Sequence, residues 1–512
     1  MTRSSEHNDP HGPEAESEGS SLRRNIGNVA AASAVALVVG ELITFVQTIA
    51  LARLLSPAEV GVFVAGTVLA LFLGNFVEGG LRSALIHRDD KLIDSAETVF
   101  WVTAVSGFLM SLLTLAVSPV IGLVFDNGEV GLVAAASSGV LFLYSFTNVP
   151  EAMLQREFSV KRRLIVGPSV AAAYATVAVS AAAAGWGVWS MVAGIYASYV
   201  VWVATVWLIS DWRPGRGHVS VTLWRELARY GLPLVFGMIG ARVQSLLEAV
   251  VVGRGLSETD LGYFRYGQRI SMIPVRAILE VGAVALFPAF SRISAEPERM
   301  KPAYLRALRW ATVGAAALSG LMIALGQPAV VILFGEQWRE AGAVVVAMAG
   351  LGFGKAIISV SEEAIKGGGR TGLLNWYTAV EVTLGIVLLL VFIGPFGVVG
   401  AGLAASVTAL LVGATVAALA KPVVGFSLQE FGAAVVPQVP CAVVATAACA
   451  ALEHFVLQSD SRGVLLGVGY LAVDTLVFGA VYLAALAVVE PSVVRVIFKT
   501  LGTGLGQLRR RV

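Results

Sequence analysis

Residues 51–63 read LARLLSPAEVGVF, and residues 252–264 read VGRGLSETDLGYF. Arg53, Leu55, Ser56, Gly61 and Phe63 recur as Arg254, Leu256, Ser257, Gly262 and Phe264, and Glu59 recurs as the acid Asp260. The offset is 201 residues at every position. In each copy a serine stands three residues ahead of an acid. This is a helix-start pattern, with the serine as cap and the acid in the first turn. Each copy follows one apolar stretch and opens the next, so the repeat predicts a chain laid out twice.

Working outward, a bilayer-crossing helix needs about 20 predominantly apolar residues. Fourteen stretches qualify, at roughly 26–52, 61–86, 97–118, 131–149, 164–184, 187–210, 228–252, 263–290, 309–334, 340–365, 372–393, 398–420, 431–456 and 463–489. Short Gly-rich turns, Gly185 to Gly187 and Gly394 to Gly397, divide two of the longer runs. Six helices separate the two copies of the motif, an even number, so both copies have one orientation in the membrane. That is a parallel repeat, related by an axis along the membrane normal. The expected organisation is a disordered cytoplasmic tail (1–24), an N-terminal lobe of six helices (25–210) and a linker (211–226). A second six-helix lobe (227–422), an extra helix pair (423–489) and a basic amphipathic tail (490–512) follow.

Lys and Arg test this count independently, because they gather in cytoplasmic loops. With the N-terminus inside, 26 basic residues fall on the cytoplasmic side. Only Arg53, Arg254, Arg339 and Arg462 fall outside. One missed or spurious helix would flip every later loop and erase the asymmetry. The reading is a multi-pass plasma-membrane protein with both termini cytoplasmic. Residues 151–163 and 491–512, which mix basic with apolar side chains, suit a surface on the anionic inner leaflet.

Composition agrees. The 512 residues are 57% hydrophobic and only 14% charged, against about 25% charged in soluble proteins, and mean hydropathy is +0.79. This excludes a soluble enzyme, a disordered scaffold and a secreted disulfide protein. Alternating short strands of a membrane β-barrel are absent. A net charge of +2 offers no field for nucleic acid. Cys441 and Cys449 read as small core residues. The five histidines show no metal-ligand spacing. GLGFGK at 350–355 lacks the phosphate-loop pattern and sits in an apolar helix. No nucleophile constellation, cofactor motif or metal site is legible, so the chain is expected not to be an enzyme.

The informative residues are the scarce charges inside the apolar stretches, each costly unless it faces water or a partner. Arg265, Arg269, Arg276 and Glu280 are spaced by 4, 7 and 4, which places them on one helical stripe at about 100° per residue. Three arginines on one stripe point to a cationic lining for an anionic ligand, since the guanidinium fork binds phosphate bidentately. Snorkelling to the rim is the simpler account of Arg265 and Arg269. Arg242 and Glu248 share the preceding helix, and by the repeat offset Arg242 falls opposite Glu41. Glu41, Glu248 and Glu280 are therefore candidates for coupling or gating, with static ion pairing, including Arg242 with Glu248, as the alternative. Lys355, Ser359 and Glu362 form a second stripe, for which a self-satisfied cluster at a helix end is the simpler account, and Lys355 joins the candidate cationic set. Glu78 and Arg82 are expected to pair at i,i+4. Glu381 and Asp474 show no obvious partner.

LARLLSPAEVGVF and GLRSALIHRDD (80–90) resemble the opening of the lipid-linked oligosaccharide flippases of bacterial polysaccharide synthesis (Wzx type). Those proteins share a superfamily with the MATE drug exporters and the peptidoglycan lipid flippase. LQREFSVKRR (154–163), LGYFRYGQRISMIPV (261–275), LFPAFSRIS (286–294) and LFGEQWREAG (333–342) follow in the same order, so the resemblance spans about 25–420. It implies a V-shaped, MATE-like pair of six-helix bundles, with the pair at 431–489 as an addition. It also implies alternating access and transport of an undecaprenyl-diphosphate-linked oligosaccharide from inner to outer leaflet. The implied partners are that anionic lipid-linked oligosaccharide, membrane lipids, a polysaccharide polymerase and glycosyltransferases. A cation-coupled MATE-type exporter of small molecules is the alternative. It predicts an acidic, aromatic-lined cavity, which the arginine stripe disfavours.

Overall fold

The computed structural model describes Ala36 and residues 38–157, 159, 162–294 and 296–499. The predicted tail 1–24 and residues 500–512 lie outside the described residues. Every regular element among the described residues is helical. The first, α1, covers 38–54. Then come α2 (Pro57–Glu78), α3 (Leu81–His87), α4 (Leu92–Phe125), α5 (Gly128–Ser137), α6 (Gly139–Ser145), α7 (Asn148–Arg156), α8 (Gly167–Ala183) and α9 (Val188–Ile209). The second half holds α10 (Val221–Gly255), α11 (Glu258–Ile293), α12 (Pro297–Phe334), α13 (Arg339–Ala347), α14 (Ala349–Gly367) and α15 (Leu374–Val424). It ends with α16 (Leu428–Val435), α17 (Gln438–Leu452) and α18 (Val464–Val489). Ten of the helical stretches among the described residues are long and apolar enough to cross a membrane.

Two departures from the predicted segments have local causes. The stretch 131–149 is broken at Ser138 and again at Phe146–Thr147. Near the second break Ser145 Oγ donates to Phe142 O and Thr147 Oγ1 to Tyr144 O, at 2.6 and 2.8 Å. Such hydroxyls compete with the backbone ladder. Conversely, α15 runs through the predicted turn at 394–397, and only Gly397 leaves helical geometry, at φ 57° and ψ −139°. A Cβ strongly disfavours that conformation, so the glycine marks the division between two helical arms.

The chain forms two compact units. The first comprises the described part of Met1–Leu51 with Leu73–Ala116 and Ala136–Val235; the second comprises Ala52–Phe72, Val117–Ala135 and the described part of Phe236–Val512. The core of the first unit centres on Phe100, whose ring meets Phe146, Trp207 and Trp212 at 5.3–6.0 Å. In the second unit one buried cluster joins α11, α12, α14 and α15 through Phe290, Tyr304, Leu308, Ile365 and Val416. Another seats α17 and α18 on α12 through Cys441, Cys449, Phe478 and Tyr482. Both cysteines are free and buried.

The repeated motif is structured as its sequence predicts, and the two copies touch. Ser56 and Glu59 exchange hydrogen bonds in a capping box, with Ser56 N donating to Glu59 Oε2 at 2.7 Å and Glu59 N to Ser56 Oγ at 3.3 Å. Ser257 Oγ accepts from Asp260 N at 3.1 Å. A Cβ placed on Gly61 would lie 1.7 Å from Glu258 O, and one on Gly262 would lie 2.0 Å from Pro57 O. Residues 57 and 258 are repeat equivalents, as are 61 and 262, so the contact is two-fold. It has the self-complementarity of an isologous interface. The two motif arginines reach non-equivalent partners. Arg53 donates to the α12 carbonyls Leu333 O, at 2.9 Å, and Ile332 O, while Arg254 reaches Asp126, just beyond α4, at 3.8 Å. Trp338 Nε1 donates to Ala52 O at 2.7 Å and stacks on Tyr266.

Candidate functional site

The second unit places a cavity of about 240 Å3 between α2, α10 and α11. Phe63, Val64, Val68, Leu71 and Phe72 make its apolar wall. Thr67, Ser245, Arg242 and Arg265 supply the polar part. The repeat dictates this juxtaposition, because the Gly61–Gly262 contact brings the starts of α2 and α11 together.

Arg265 is held in place by its neighbours. Its Nη2 donates to Ser245 O at 2.8 Å, its Nη1 donates to Gln268 Oε1 at 2.9 Å, and Glu248 lies 3.9 Å away. Gln244 and Gln268 donate to the Glu248 carboxylate at 3.0 and 3.4 Å. Glu248 therefore faces Arg265, and among the described residues no ion pair joins it to Arg242 on its own helix. Arg242, Arg269 and Arg276 are exposed. The side chain of Glu280 lies outside the described residues.

Lys355 pairs with Glu381 across α14 and α15. This corrects two expectations, since Glu381 has a partner and Lys355 does not close a cluster with Glu362. Glu362 instead bonds Lys366 at 2.7 Å and accepts from Tyr377 at 3.2 Å. The 350–355 stretch is helical, as its composition predicts.

A second cavity, of about 520 Å3, lies in the first unit. Glu41, Thr44, Glu151, Arg162 and Trp202 line it together with small apolar residues. Glu41 is exposed. Glu151 is buried and collects three donors: Arg82 at 3.0 Å, Arg162 at 2.6 Å and Trp202 Nε1 at 2.9 Å. The expected Glu78–Arg82 pair is thus replaced, because Arg82 turns to Glu151 while Glu78 accepts from Tyr144 at 2.8 Å. Sequence reading missed this network. Its one signal is that Arg82 lies inside an apolar stretch while Glu151 lies just past the end of another. Two guanidiniums on one carboxylate leave the cluster cationic.

A family model described as "Polysaccharide biosynthesis protein" matches residues 50–343. The succinoglycan biosynthesis transport protein ExoT of Rhizobium meliloti (strain 1021) is 26% identical over 344 residues, 66% of this chain and 68% of that protein. Among solved structures, lipid II flippase MurJ in an inward closed conformation superimposes with a TM-score of 0.72 at 13% identity. The match covers 90% of this chain and 99% of MurJ. An inward-facing multidrug resistance MATE family transporter of the MOP superfamily gives 0.62 at 16% identity, covering 77% and 98%. At these identities the structural matches establish a shared helical fold.

Proposed function

The chain belongs to the polysaccharide biosynthesis protein family, and from that premise we propose that it flips an undecaprenyl-diphosphate-linked oligosaccharide from the inner to the outer leaflet by alternating access. The coarser part of this reading, a membrane flippase of the MOP superfamily serving polysaccharide biosynthesis, rests on the family match and the relatives together. The finer part rests on one observation. Arg242 and Arg265 line a cavity walled by apolar side chains, and Arg269 and Arg276 continue the cationic residues along α11. Arginine stays charged and grips phosphate with two parallel bonds, so this face suits a diphosphate, and the apolar wall suits the exclusion of water around it. Glu248 offsets Arg265, and Arg242, Arg269 and Arg276, which are exposed, are the cations expected to meet the headgroup. Lys355, already paired with Glu381, drops behind them.

The topology is proposed as fourteen spans in two six-helix lobes, 25–210 and 227–422, plus the pair at 423–489, with both termini cytoplasmic. With a cytoplasm-negative potential, moving an anionic headgroup outward is favoured by about 2.3 kcal/mol per charge per 100 mV, so no nucleotide hydrolysis is needed for direction. Glu41, Glu248 and Glu280 are proposed as the acids that couple or gate transport. A cation-coupled exporter calls for an acidic aromatic cavity. The 520 Å3 cavity contains Glu41, Glu151 and Trp202, but Arg82 and Arg162 offset Glu151, so this reading is not favoured.

The test replaces Arg269 and Arg276 by Ala together, in a host lacking its own flippase. Hydrogen bonds to charged groups contribute about 1.5–3 kcal/mol each, so surface polysaccharide should fall at least tenfold at equal expression. Normal polysaccharide from the double variant would defeat the cationic-path reading.

A further inference from the structure

The extra helix pair buries two carboxyl groups that neither the cargo path nor the two-fold contact uses. Asp474 lies in the middle of α18, 0% exposed, and Glu453 follows directly on α17, 6% exposed. Glu453 is well supplied, since Ser459 N donates to its Oε1 at 2.8 Å and Ser459 Oγ to its Oε2 at 2.6 Å. Asp474 is not. Among the described residues neither of its carboxyl oxygens receives any N–H or O–H, and the group beside it is the Glu453 carboxyl. The other neighbours offer no compensation. From α17 the Cys449 thiol points at the Asp474 backbone carbonyl, at 3.6 Å. The apolar cluster that seats α18 on α12 includes Ala324 and Leu325. No Lys, Arg or His among the described residues pairs with either acid.

Two adjacent carboxylates in a buried, cation-free site cannot both be ionised. A protein-supplied donor favours the charged form of the group that receives it. Ser459 therefore marks Glu453 as the anion, and the group without donors is the acid. We propose that Asp474 is a proton-binding site that is occupied at neutral pH, with its O–H donated to the Glu453 carboxylate. The proton satisfies one Asp474 oxygen as donor and cancels one of the two charges. Parting the α17–α18 contact, or a base reaching it, would release one proton for each pair. This inference is independent of the cargo, so it can fail while the flippase reading stands, and the reverse also holds.

Infrared spectroscopy of the purified full-length protein in sodium-free neutral buffer tests it. The expected result is the carbonyl stretch of a protonated carboxylic acid that shifts in heavy water and disappears in Asp474→Asn. The asparagine amide keeps the shape and can still donate to Glu453, so this variant should remain folded. Ser459→Ala is a second probe. It removes a donor from Glu453, so the proton is shared more evenly and the band must move. The inference is overturned by the absence of a protonated-acid band at neutral pH, by a band that persists in Asp474→Asn, or by a band unmoved in Ser459→Ala. It is equally overturned if added sodium chloride abolishes the band, because the pair would then be a cation site.

Discussion

Adding one methyl group at Gly61 is the sharpest perturbation the fold offers. The new Cβ would sit 1.7 Å from Glu258 O, and at Gly262 it would sit 2.0 Å from Pro57 O. Carbon and carbonyl oxygen do not approach closer than about 3.0 Å, so the two copies must separate locally by about 1.3 Å for Gly61→Ala and about 1.0 Å for Gly262→Ala. The obstacle is backbone on both sides, so no rotamer change relieves it. Overpacking of this kind costs about 1–3 kcal/mol, and a coupling of that size moves a two-state equilibrium by about 5–150-fold. On the proposed topology the contact lies at the outer end of the helices, so either substitution should favour the state in which that end is parted. The assay places a single cysteine at Thr67, on the wall of the 240 Å3 cavity, after Cys441 and Cys449 are replaced by Ala. Its rate of modification by a membrane-impermeant maleimide added outside is then measured. Gly61→Ala and Gly262→Ala should each raise the rate about tenfold or more. The pair should raise it by less than the product of the two, because opening the contact once relieves both clashes. Gly314→Ala on α12, which has open space around it, is the control and should leave the rate unchanged. Unchanged labelling in both motif variants, with folded protein at normal levels, refutes the argument that this contact holds the end shut.

Two further predictions concern the ion pairs. Glu151→Ala leaves the half-buried Arg82 and Arg162 without their shared carboxylate; removing one member of a fully buried pair costs about 3–5 kcal/mol, which is the upper bound here. The purified variant should unfold at a clearly lower temperature, and an unchanged melting curve would show the network to be energetically idle. For Lys355 and Glu381, Lys355→Met alone should destabilise more than the combination of Lys355→Met with Glu381→Leu, since the double change removes both charges from α14 and α15. A double variant weaker than the single one contradicts that account of the pair.

How much of this was legible beforehand depends on whether a feature has a period along the chain. Apolar runs do, which is why helix follows the predicted stretches, and Gly397 was readable as a division because a left-handed φ is a one-residue property. The serine caps at 56 and 257 were readable for the same reason. Ion-pair partners have no period. Glu381 looked unpartnered because Lys355 is 26 residues away, on another helix, and Arg82 was assigned to Glu78 because a lone helix brings together only side chains three or four residues apart. Glu151, its true partner, is one among several acids until the helices are packed. In the same way Glu248 could be seen as a candidate partner for Arg242 but not as the partner of Arg265, which follows only once α10 and α11 lie side by side.

The repeat is the exception, and it shows what kind of long-range contact a sequence can encode. A local motif copied at one fixed offset says nothing about distance in space. Two copies that meet about a two-fold axis, however, must meet through equivalent residues. If position 61 contacts position 258, then 262 must contact 57, and the glycine conserved between the copies is the residue that lets two backbones approach so closely. The structure has that reciprocal pair. Of the six matched positions in LARLLSPAEVGVF and VGRGLSETDLGYF, four have a visible role: the serine and the acid start each helix, the arginine reaches the end of α12 or the residue just beyond α4, and the glycine makes the contact. The repeat thus retains the residues needed to build one two-fold contact, while the surrounding sequence, including the cavity arginines present only in the second copy, has diverged around it. On the proposed flippase reading, the repeated scaffold supplies the contact and the diverged residues of the second copy supply the cavity cations that meet the headgroup.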